Sequence, residues 1–200
     1  MEQAIKYPAD FSVDYPQKPL DKVSTFFRIF AVIPVAIILC LISGANGAWV
    51  GAGGILFIAT ALMIVFQQKY PRWWFDWNYK LLAFTARVVS YASLLRDEYP
   101  STDEEQAVHL KLDYPEIKTQ LNRWLPLVKW FLAIPHYIVL VFLGIAAFFC
   151  IVAAWFAILF TGNYPRGLFD FVTGVYRWYV RVTAYAFVLV TDTYPPFSLS

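Results

Sequence analysis

The sequence has few charged residues and two long runs with almost none. Of its 200 residues, only 15% are charged, whereas 60% are apolar and 20% are aromatic. Soluble domains average about 25% charged and about 45–50% apolar residues. No Asp, Glu, Lys, Arg or His occurs in residues 30–66, and residues 131–160 contain only His136. These runs exclude a soluble enzyme, a disordered tail and a disulfide-stapled secreted module.

Groups that carry binding or catalytic chemistry are also scarce. The net charge of +2 is too small for a nucleic-acid-binding protein, so we expect no nucleic-acid partner. With two histidines and two cysteines, the chain offers no set of residues at metal-ligand spacing. Nucleophilic triads and phosphate-binding glycine loops are absent as well. We therefore predict no catalytic residue, no cofactor and no metal site, and we expect that the protein is not an enzyme.

The two apolar runs are each long enough for two membrane crossings. One crossing needs about 20 apolar residues of helix, and residues 26–66 and 124–161 each have close to twice that length. Gly44 and Gly47 interrupt the first run, and Gly144 marks the expected break in the second. We therefore predict two helical hairpins and a polytopic all-α membrane protein.

The positive charges support the hairpins. All 16 Lys and Arg residues lie outside the predicted hairpin tips. Because Lys and Arg collect in cytoplasmic loops, both termini and the central linker are predicted to be cytoplasmic. One long tilted helix in place of either hairpin would divide the basic segments between the two sides of the membrane.

The two halves of the chain contain matching segments in the same order. The matched pairs are 13–16 with 112–115, 28–34 with 129–135, 70–76 with 164–170, and 97–100 with 192–195. We predict a tandem duplication, with residues 1–100 as the first repeat and 101–200 as the second. Each repeat would contain an extended segment, a hairpin and an amphipathic helix, and an axis along the membrane normal would relate the two.

The last helix of each predicted repeat has a polar stripe on an apolar, Trp-rich body. The stripes are Arg72, Asp76, Lys80 and Arg87 in the first repeat, and Arg166, Asp170, Arg177 and Arg181 in the second. This composition is typical of a helix lying in the membrane interface. A spanning helix is the alternative, but each central arginine would then cost about 2.5–3.5 kcal/mol. On the first helix, Asp76 and Lys80 have the spacing of an ion pair.

Two shorter patterns complete the plan of each repeat. Apolar and polar residues alternate in residues 11–15 and 108–114, which predicts two strands that pair into a ribbon joining the repeats. Tyr precedes Pro seven times. Tyrosine favours the headgroup layer, so these dipeptides are predicted to mark points where the chain enters or leaves the membrane surface.

The candidate site residues are few. Pro34 and Pro135 can each kink a helix, and the kinks either pack or line a cavity. His136 is either a hydrogen-bonded structural histidine or a proton carrier. We expect charge pairs within the sets Asp76, Arg87, Asp97 and Asp170, Arg181, Asp192, with lipid headgroups as the other partner of the arginines. The candidate lipid or partner contacts are Arg87, Arg181, Asp76, Asp170, His136, Pro34 and Pro135.

Three segments of the second half resemble a known family. They are Ala133-Ile134-Pro135-His136, residues 159–171 with Thr161-Gly162-Asn163-Tyr164-Pro165-Arg166, and Asp192-Thr193-Tyr194-Pro195-Pro196-Phe197-Ser198-Leu199. Their sequence is similar to the bacterial membrane family catalogued as domain of unknown function 4389. The first half is less similar, with Trp73-Trp74 in place of Gly167-Leu168. The resemblance implies an integral membrane protein of bacteria and no assigned reaction, ligand or partner.

Two functional hypotheses follow. The first is a non-enzymatic scaffold or accessory subunit of a membrane complex, whose partners are membrane lipids and either a membrane protein or a second copy. The second is a lipid- or small-molecule-binding or transport protein, with a cleft between the repeats lined by Pro34, Pro135 and His136 and guarded by Arg87 and Arg181. Both place the protein in the bacterial inner membrane, multi-pass, with cytoplasmic termini.

Overall fold

The computed structural model describes residues 7–43, 57–102, 104–117 and 121–200. The chain is mostly helical and carries one two-stranded sheet, as predicted. In chain order the elements are β1 (Ala9–Val13), α1 (Lys22–Ser43), α2 (Phe57–Gln67), α3 (Arg72–Ala92), β2 (Val108–Leu112), a 3₁₀ turn (Leu125–Leu127), α4 (Lys129–Leu132), α5 (Ile134–Thr161), α6 (Arg166–Thr183) and a π-helical turn (Ala184–Val188).

The predicted ribbon is confirmed. Strands β1 and β2 pair antiparallel, with Ala9 opposite Leu112 and Val13 opposite Val108. The period of two buries one face of β1, where Ala9, Phe11 and Val13 point into the protein. Strand β1 packs on α6, whereas β2 packs on α3. Each strand therefore covers an amphipathic helix from the other half of the chain.

Two of the described helices are long and apolar enough to cross a membrane. They are Lys22–Ile42 within α1 and the whole of α5, with mean hydropathies of 2.6 and 2.8. Only 11% of the most apolar stretch of α5 is buried. A third apolar helix, α2, has 11 described residues.

The predicted break at Gly144 is wrong. Helix α5 runs without interruption through 28 residues, including Gly144. One glycine costs only about 1 kcal/mol relative to alanine in a helix, and no proline or polar residue lies beside it to end the hydrogen-bond ladder. From Ile134 to Thr161 the second apolar run is therefore one helix and not a hairpin. In the first run, α1 and α2 are separate helices, and the predicted hairpin tip at Gly44–Gly47 lies outside the described residues.

The described elements form three layers. The β1–β2 ribbon lies on α3 and α6, which in turn pack against α1 and α5. The apolar residues of α3 and α6 pack mainly inside the protein, with Trp73 and Trp77 left exposed. The reason is tertiary, because α1 and α5 supply apolar partners that the sequence pattern of a single helix does not reveal. The location of these helices in the membrane interface stays a prediction.

Contacts between the halves occur in matched pairs. The Tyr15 hydroxyl donates to the Tyr164 carbonyl at 2.5 Å, and the Tyr114 hydroxyl donates to the Tyr70 carbonyl at 2.6 Å. All four tyrosines belong to Tyr-Pro dipeptides, which were predicted as membrane entry points. Their hydrogen bonds join each ribbon strand to the other half of the chain, and the location of the dipeptides at the membrane surface stays a prediction.

Candidate functional site

Arg28, near the start of α1, is a buried cation. Together with Tyr91 and Asp97 it forms the first basic cluster. The Arg28 side chain is 2% exposed, and its Nη2 contacts the Asp97 carboxylate. Its Nη1 donates to the Arg96 carbonyl at 3.0 Å, and the guanidinium lies 4.0 Å from the centre of the Tyr91 ring. A charge out of water is stable only when it is paired and hydrogen-bonded, and these contacts meet both conditions.

The second basic cluster, Lys129, Tyr185 and Asp192, has the same plan. Lys129 is fully buried in α4, and its Nζ lies 2.7 Å from an Asp192 oxygen. The same Nζ donates to the Thr191 carbonyl at 2.7 Å and lies 5.2 Å from the centre of the Tyr185 ring. Burial lowers the pKa of the Lys129 ammonium, while the hydrogen bond and charge of Asp192 oppose this shift.

Two leucines in the left-handed backbone region direct the chain toward the aspartates. Leu94 has a φ of 64° and Leu189 a φ of 62°. Both side chains are buried. A positive φ is uncommon outside glycine and needs surrounding structure to hold it. Each leucine precedes the aspartate of its cluster by three positions, so the same turn delivers Asp97 and Asp192 to their cations.

Each aspartate also caps the segment that leads into its cation. The backbone N–H of Asp21 donates to Asp97 at 2.8 Å, and that of Asn122 donates to Asp192 at 2.5 Å. Asp21 lies just before α1, and Asn122 holds the matching place ahead of α4. Each cluster therefore fixes the start of an apolar helix against the chain that follows an amphipathic helix.

The expected partners of these aspartates were wrong. Asp97 and Asp192 do form ion pairs, but with Arg28 and Lys129 and not with Arg87 and Arg181. The predicted pairing considered residues close to the aspartates in sequence, whereas the fold brings in a cation 69 positions away in the first cluster. The sequence did indicate these two cations, since the matched segments 28–34 and 129–135 both begin with a positively charged residue.

The two candidate arginines lie in different surroundings. Arg87 donates to the Ser101 carbonyl at 2.8 Å and lines an open groove of about 550 Å³ between α3 and β2. Arg181 is 8% exposed, donates to the Ser200 carbonyl at 2.7 Å, and lies 3.9 Å from an Asp10 oxygen. Burial lowers the pKa of the Arg181 guanidinium, and the charge of Asp10 opposes this. Arg181 does not line the groove of Arg87.

The two candidate aspartates on the amphipathic helices are exposed. Asp170 forms an ion pair with Arg166 at 3.8 Å, one turn away on α6. Asp76 lies at the matching place on α3, but within the part of the chain that the structure describes it makes no ion pair with Lys80. The predicted Asp76–Lys80 pair is therefore wrong.

The two candidate prolines do not face each other. Pro34 lies inside α1, whereas Pro135 lies in the first turn of α5, just after the break that separates α4 from α5. A proline is tolerated in the first turn because its missing N–H would have no helical acceptor there. Both prolines are exposed, so the expectation that they line a shared cavity is not met.

His136 lies in a sealed aromatic cluster. Its ring is fully buried and stacks on the Phe197 ring, with 4.0 Å between the ring centres. The centre of the Tyr194 ring lies 4.8 Å away. The Trp178 indole N–H donates to His136 Nδ1 at 3.0 Å. An indole only donates, so Nδ1 is the acceptor and a neutral ring carries its proton on Nε2. These contacts match the structural histidine among the two alternatives.

Helices α3 and α6, which belong to different halves of the chain, meet around a small cavity. The cavity there has a volume of about 30 Å³, which is room for about one water molecule. Its lining includes Thr85 and Tyr176, and none of the seven candidate residues contributes to it.

Comparison with known proteins finds a family match in the second half of the chain. No curated protein and no solved structure matches the chain. The stretch that does match a family contains α4, α5, α6 and the second basic cluster, but neither strand of the ribbon. Residues 124–198 match the family described as Domain of unknown function (DUF4389), as the resemblance of this part of the chain implied.

Proposed function

We propose that the protein is a non-enzymatic integral membrane scaffold or accessory subunit of a membrane complex, located in the bacterial inner membrane with both termini cytoplasmic. The observation that carries this proposal is the exposed surface of α1 and α5. Both helices have high mean hydropathies of 2.6 and 2.8, yet only 22% and 11% of their most apolar stretches are buried inside the protein. A helix of this composition needs an apolar surrounding on its exposed sides.

The exposed apolar side chains form a continuous set along both helices. On α5 they include Ile138, Val141, Phe142, Ile145, Phe148, Phe149, Val152, Phe156 and Phe160. On α1 they include Phe26, Phe27, Ile29, Phe30, Ile33, Ile37, Ile38 and Leu41. Soluble monomers rarely expose apolar patches beyond a few hundred Å². Lipid, or lipid together with a partner's helices, supplies the missing contact.

We also propose that the protein consists of two tandem repeats, residues 1–100 and 101–200. Matched contacts support this: the two basic clusters, the two left-handed leucines and the reciprocal tyrosine bonds all occur at matched positions of the halves. Such a duplicated frame made of structural contacts suits a scaffold, because it fixes the shape of a surface and holds no reactive group.

A pull-down from native membranes tests the scaffold role. The protein is extracted in a mild detergent, and the bound proteins and lipids are identified together by mass spectrometry. We expect either a defined membrane-protein partner or a stable oligomer in native mass spectrometry. A monomer without any co-purifying protein contradicts the proposal. Recovery of the chain in the soluble fraction after cell lysis contradicts membrane association as well.

A further inference from the structure

We infer that α1 and α5 lie parallel to the membrane plane, embedded in one leaflet, and do not cross the bilayer. The inference rests on the proposed membrane association and specifies its geometry. Its occupant is a lipid leaflet, which would cover the exposed side of α1, α2 and α5. The opposite side of the protein, formed by the β1–β2 ribbon, would face water.

The position of α6 is the first step. Only four residues separate α5 from α6, and Trp178 near the end of α6 donates to His136 near the start of α5. Helix α6 therefore runs back along α5. With 18 residues against 28, α6 lies within the depth range that α5 occupies and covers part of it.

The position of the ribbon is the second step. Asp10, in β1, lies 3.4 Å from Arg177, which is next to Trp178. Tyr15, just after β1, contacts the ring of Phe169 and the carbonyl of Tyr164 close to the end of α5. The strand therefore lies alongside α6 and at the depth of α5. A crossing α5 would carry the ribbon into the hydrocarbon.

The charges of the ribbon decide between the two orientations. Asp14, His109, Lys111 and Asp113 all have side chains more than half exposed, at 65%, 57%, 54% and 56%. Exposed charges in hydrocarbon are expensive and rare, and they point to water. When α5 lies flat, these side chains are on the aqueous side, two layers away from the lipid.

The length of α5 and the aromatic residues around it agree with this orientation. Twenty-eight residues of helix extend about 42 Å, whereas the hydrocarbon core is about 30 Å thick. Trp124 and Trp130 precede α5, Trp73 begins α3, and all three are exposed. Tryptophan prefers the border between lipid and water. A flat protein would place these side chains around the rim of the lipid-covered face.

Sidedness of labelling separates the two orientations. Cys40 and Cys150 are first replaced by Ala, and single cysteines are introduced as Lys18→Cys, Lys69→Cys and Lys111→Cys. Lys18 lies at the end of α5, because Leu20 donates to the Gly162 carbonyl. Lys69 follows α2, which meets the segment before α5 through the Arg123–Val65 contact. Lys111 reports the ribbon.

A membrane-impermeant maleimide is applied to spheroplasts and to inverted inner-membrane vesicles. We expect all three cysteines to be labelled from the same side, in one preparation and not in the other. Labelling of Lys18→Cys and Lys69→Cys from opposite sides means that α5 crosses, and it overturns the inference while leaving membrane association intact.

Depth along α5 gives a second, independent readout. A fluorophore is attached to Ile138→Cys, Ile145→Cys or Val152→Cys in vesicles of phosphatidylethanolamine and phosphatidylglycerol that contain shallow- or deep-quenching lipids. We expect the same ratio of shallow to deep quenching at all three positions. Deepest quenching at Ile145 alone indicates a crossing helix, and absence of quenching with a dimer in solution indicates that a second copy covers α5. Either result overturns the inference, and failure to bind the vesicles contradicts the proposed function itself.

Discussion

The two basic clusters have the same arrangement of contacts around different cationic side chains. Arg28 and Lys129 each donate to a carbonyl and an aspartate beside a tyrosine ring, although one is a guanidinium and the other an ammonium. Arg28 offers five donors in a planar fork, whereas Lys129 offers three around one nitrogen. The shared requirement is a buried positive charge that ties the start of an apolar helix to an aspartate.

A second pair of matched positions differs in polarity. In the first half, Val35 packs against Phe84, and both side chains are apolar. In the second half the same places hold His136 and Trp178, joined by a buried hydrogen bond. The helix contact therefore does not require a polar group, and the second half contains one in addition to the packing.

The largest expected effect follows from removing a buried cation. Arg28→Ala and Lys129→Ala each leave an aspartate without its partner. Breaking a buried pair costs about 3–5 kcal/mol, and we expect the lower end because the aspartates keep some contact with water. Asp97 and Asp192 are 31% and 21% exposed. The free energy of unfolding is measured by denaturant titration in detergent micelles, followed by circular dichroism.

Arg166→Ala is the matched control for both variants. Arg166 pairs with Asp170 on the surface, with side chains 70% and 63% exposed, and its guanidinium lies 4.7 Å from the centre of the Tyr15 ring, so its loss is expected to cost about 1 kcal/mol. Equal losses for Arg28→Ala and Arg166→Ala would show that the first cluster does not hold the frame.

An intermediate effect is expected from exchanging the polar pair for its apolar counterpart. His136→Val leaves the Trp178 N–H buried without an acceptor, which costs about 1–3 kcal/mol. The double variant His136→Val, Trp178→Phe restores the Val35–Phe84 combination and removes both polar groups. We expect it to be more stable than His136→Val alone. A double variant whose loss equals the sum of the two single losses would contradict this coupling.

The smallest effect, and one of opposite sign in the two halves, concerns Tyr70 and Tyr164. The Tyr70 hydroxyl donates to the Val188 carbonyl at 2.8 Å, so Tyr70→Phe is expected to cost about 1 kcal/mol. The Tyr164 hydroxyl is buried and has no hydrogen-bond partner among the described residues. Tyr164→Phe is therefore expected to preserve or raise the free energy of unfolding. A loss for Tyr164→Phe as large as that for Tyr70→Phe would contradict this difference.

Alkaline pH sharpens the same comparison. Burial raises the pKa of both Tyr70 and Tyr164 above the usual value near 10. The stability that these two buried neutral phenols contribute is thus fully present below about pH 10. It is lost at higher pH, because the same tyrosines ionise at a lower pH in the unfolded chain than in the folded protein. Each Tyr→Phe variant should reduce the slope of this alkaline loss, measured as unfolding free energy against pH. An unchanged slope in both variants would show that these phenols do not contribute to it.

Local sequence patterns predicted the secondary structure, which depends on residues that are close in the chain. The alternation around Phe11 and Leu110 predicted both strands and their pairing, because a period of two leaves one face to bury. The apolar runs predicted apolar helices in the places of α1 and α5, but they did not predict that α5 continues unbroken through Gly144. The resemblance of residues near His136 and Asp192 predicted the family of the second half.

Features that depend on contacts between distant parts of the chain were not predicted. Nothing near Asp192 in sequence indicates Lys129, since the pair forms only when α4 packs beside the turn at Leu189. Gly144 was taken as a break because glycine often ends a helix, but a single glycine costs only about 1 kcal/mol there and its neighbours continue the backbone hydrogen bonds. The prolines were expected to face a cleft, and the packing of α5 on α6 turned Pro135 outward instead.

The crossing of the strands has a consequence for the halves as separate molecules. Since β1 seals α6 and β2 seals α3, a fragment with residues 101–200 alone would carry a strand that has lost its helix and a helix that has lost its strand. Two such fragments could exchange their strands and recover every one of these contacts. Under the proposed duplication, a single-repeat ancestor would assemble as a homodimer through such an exchange, and fusion of two copies would make the assembly independent of concentration.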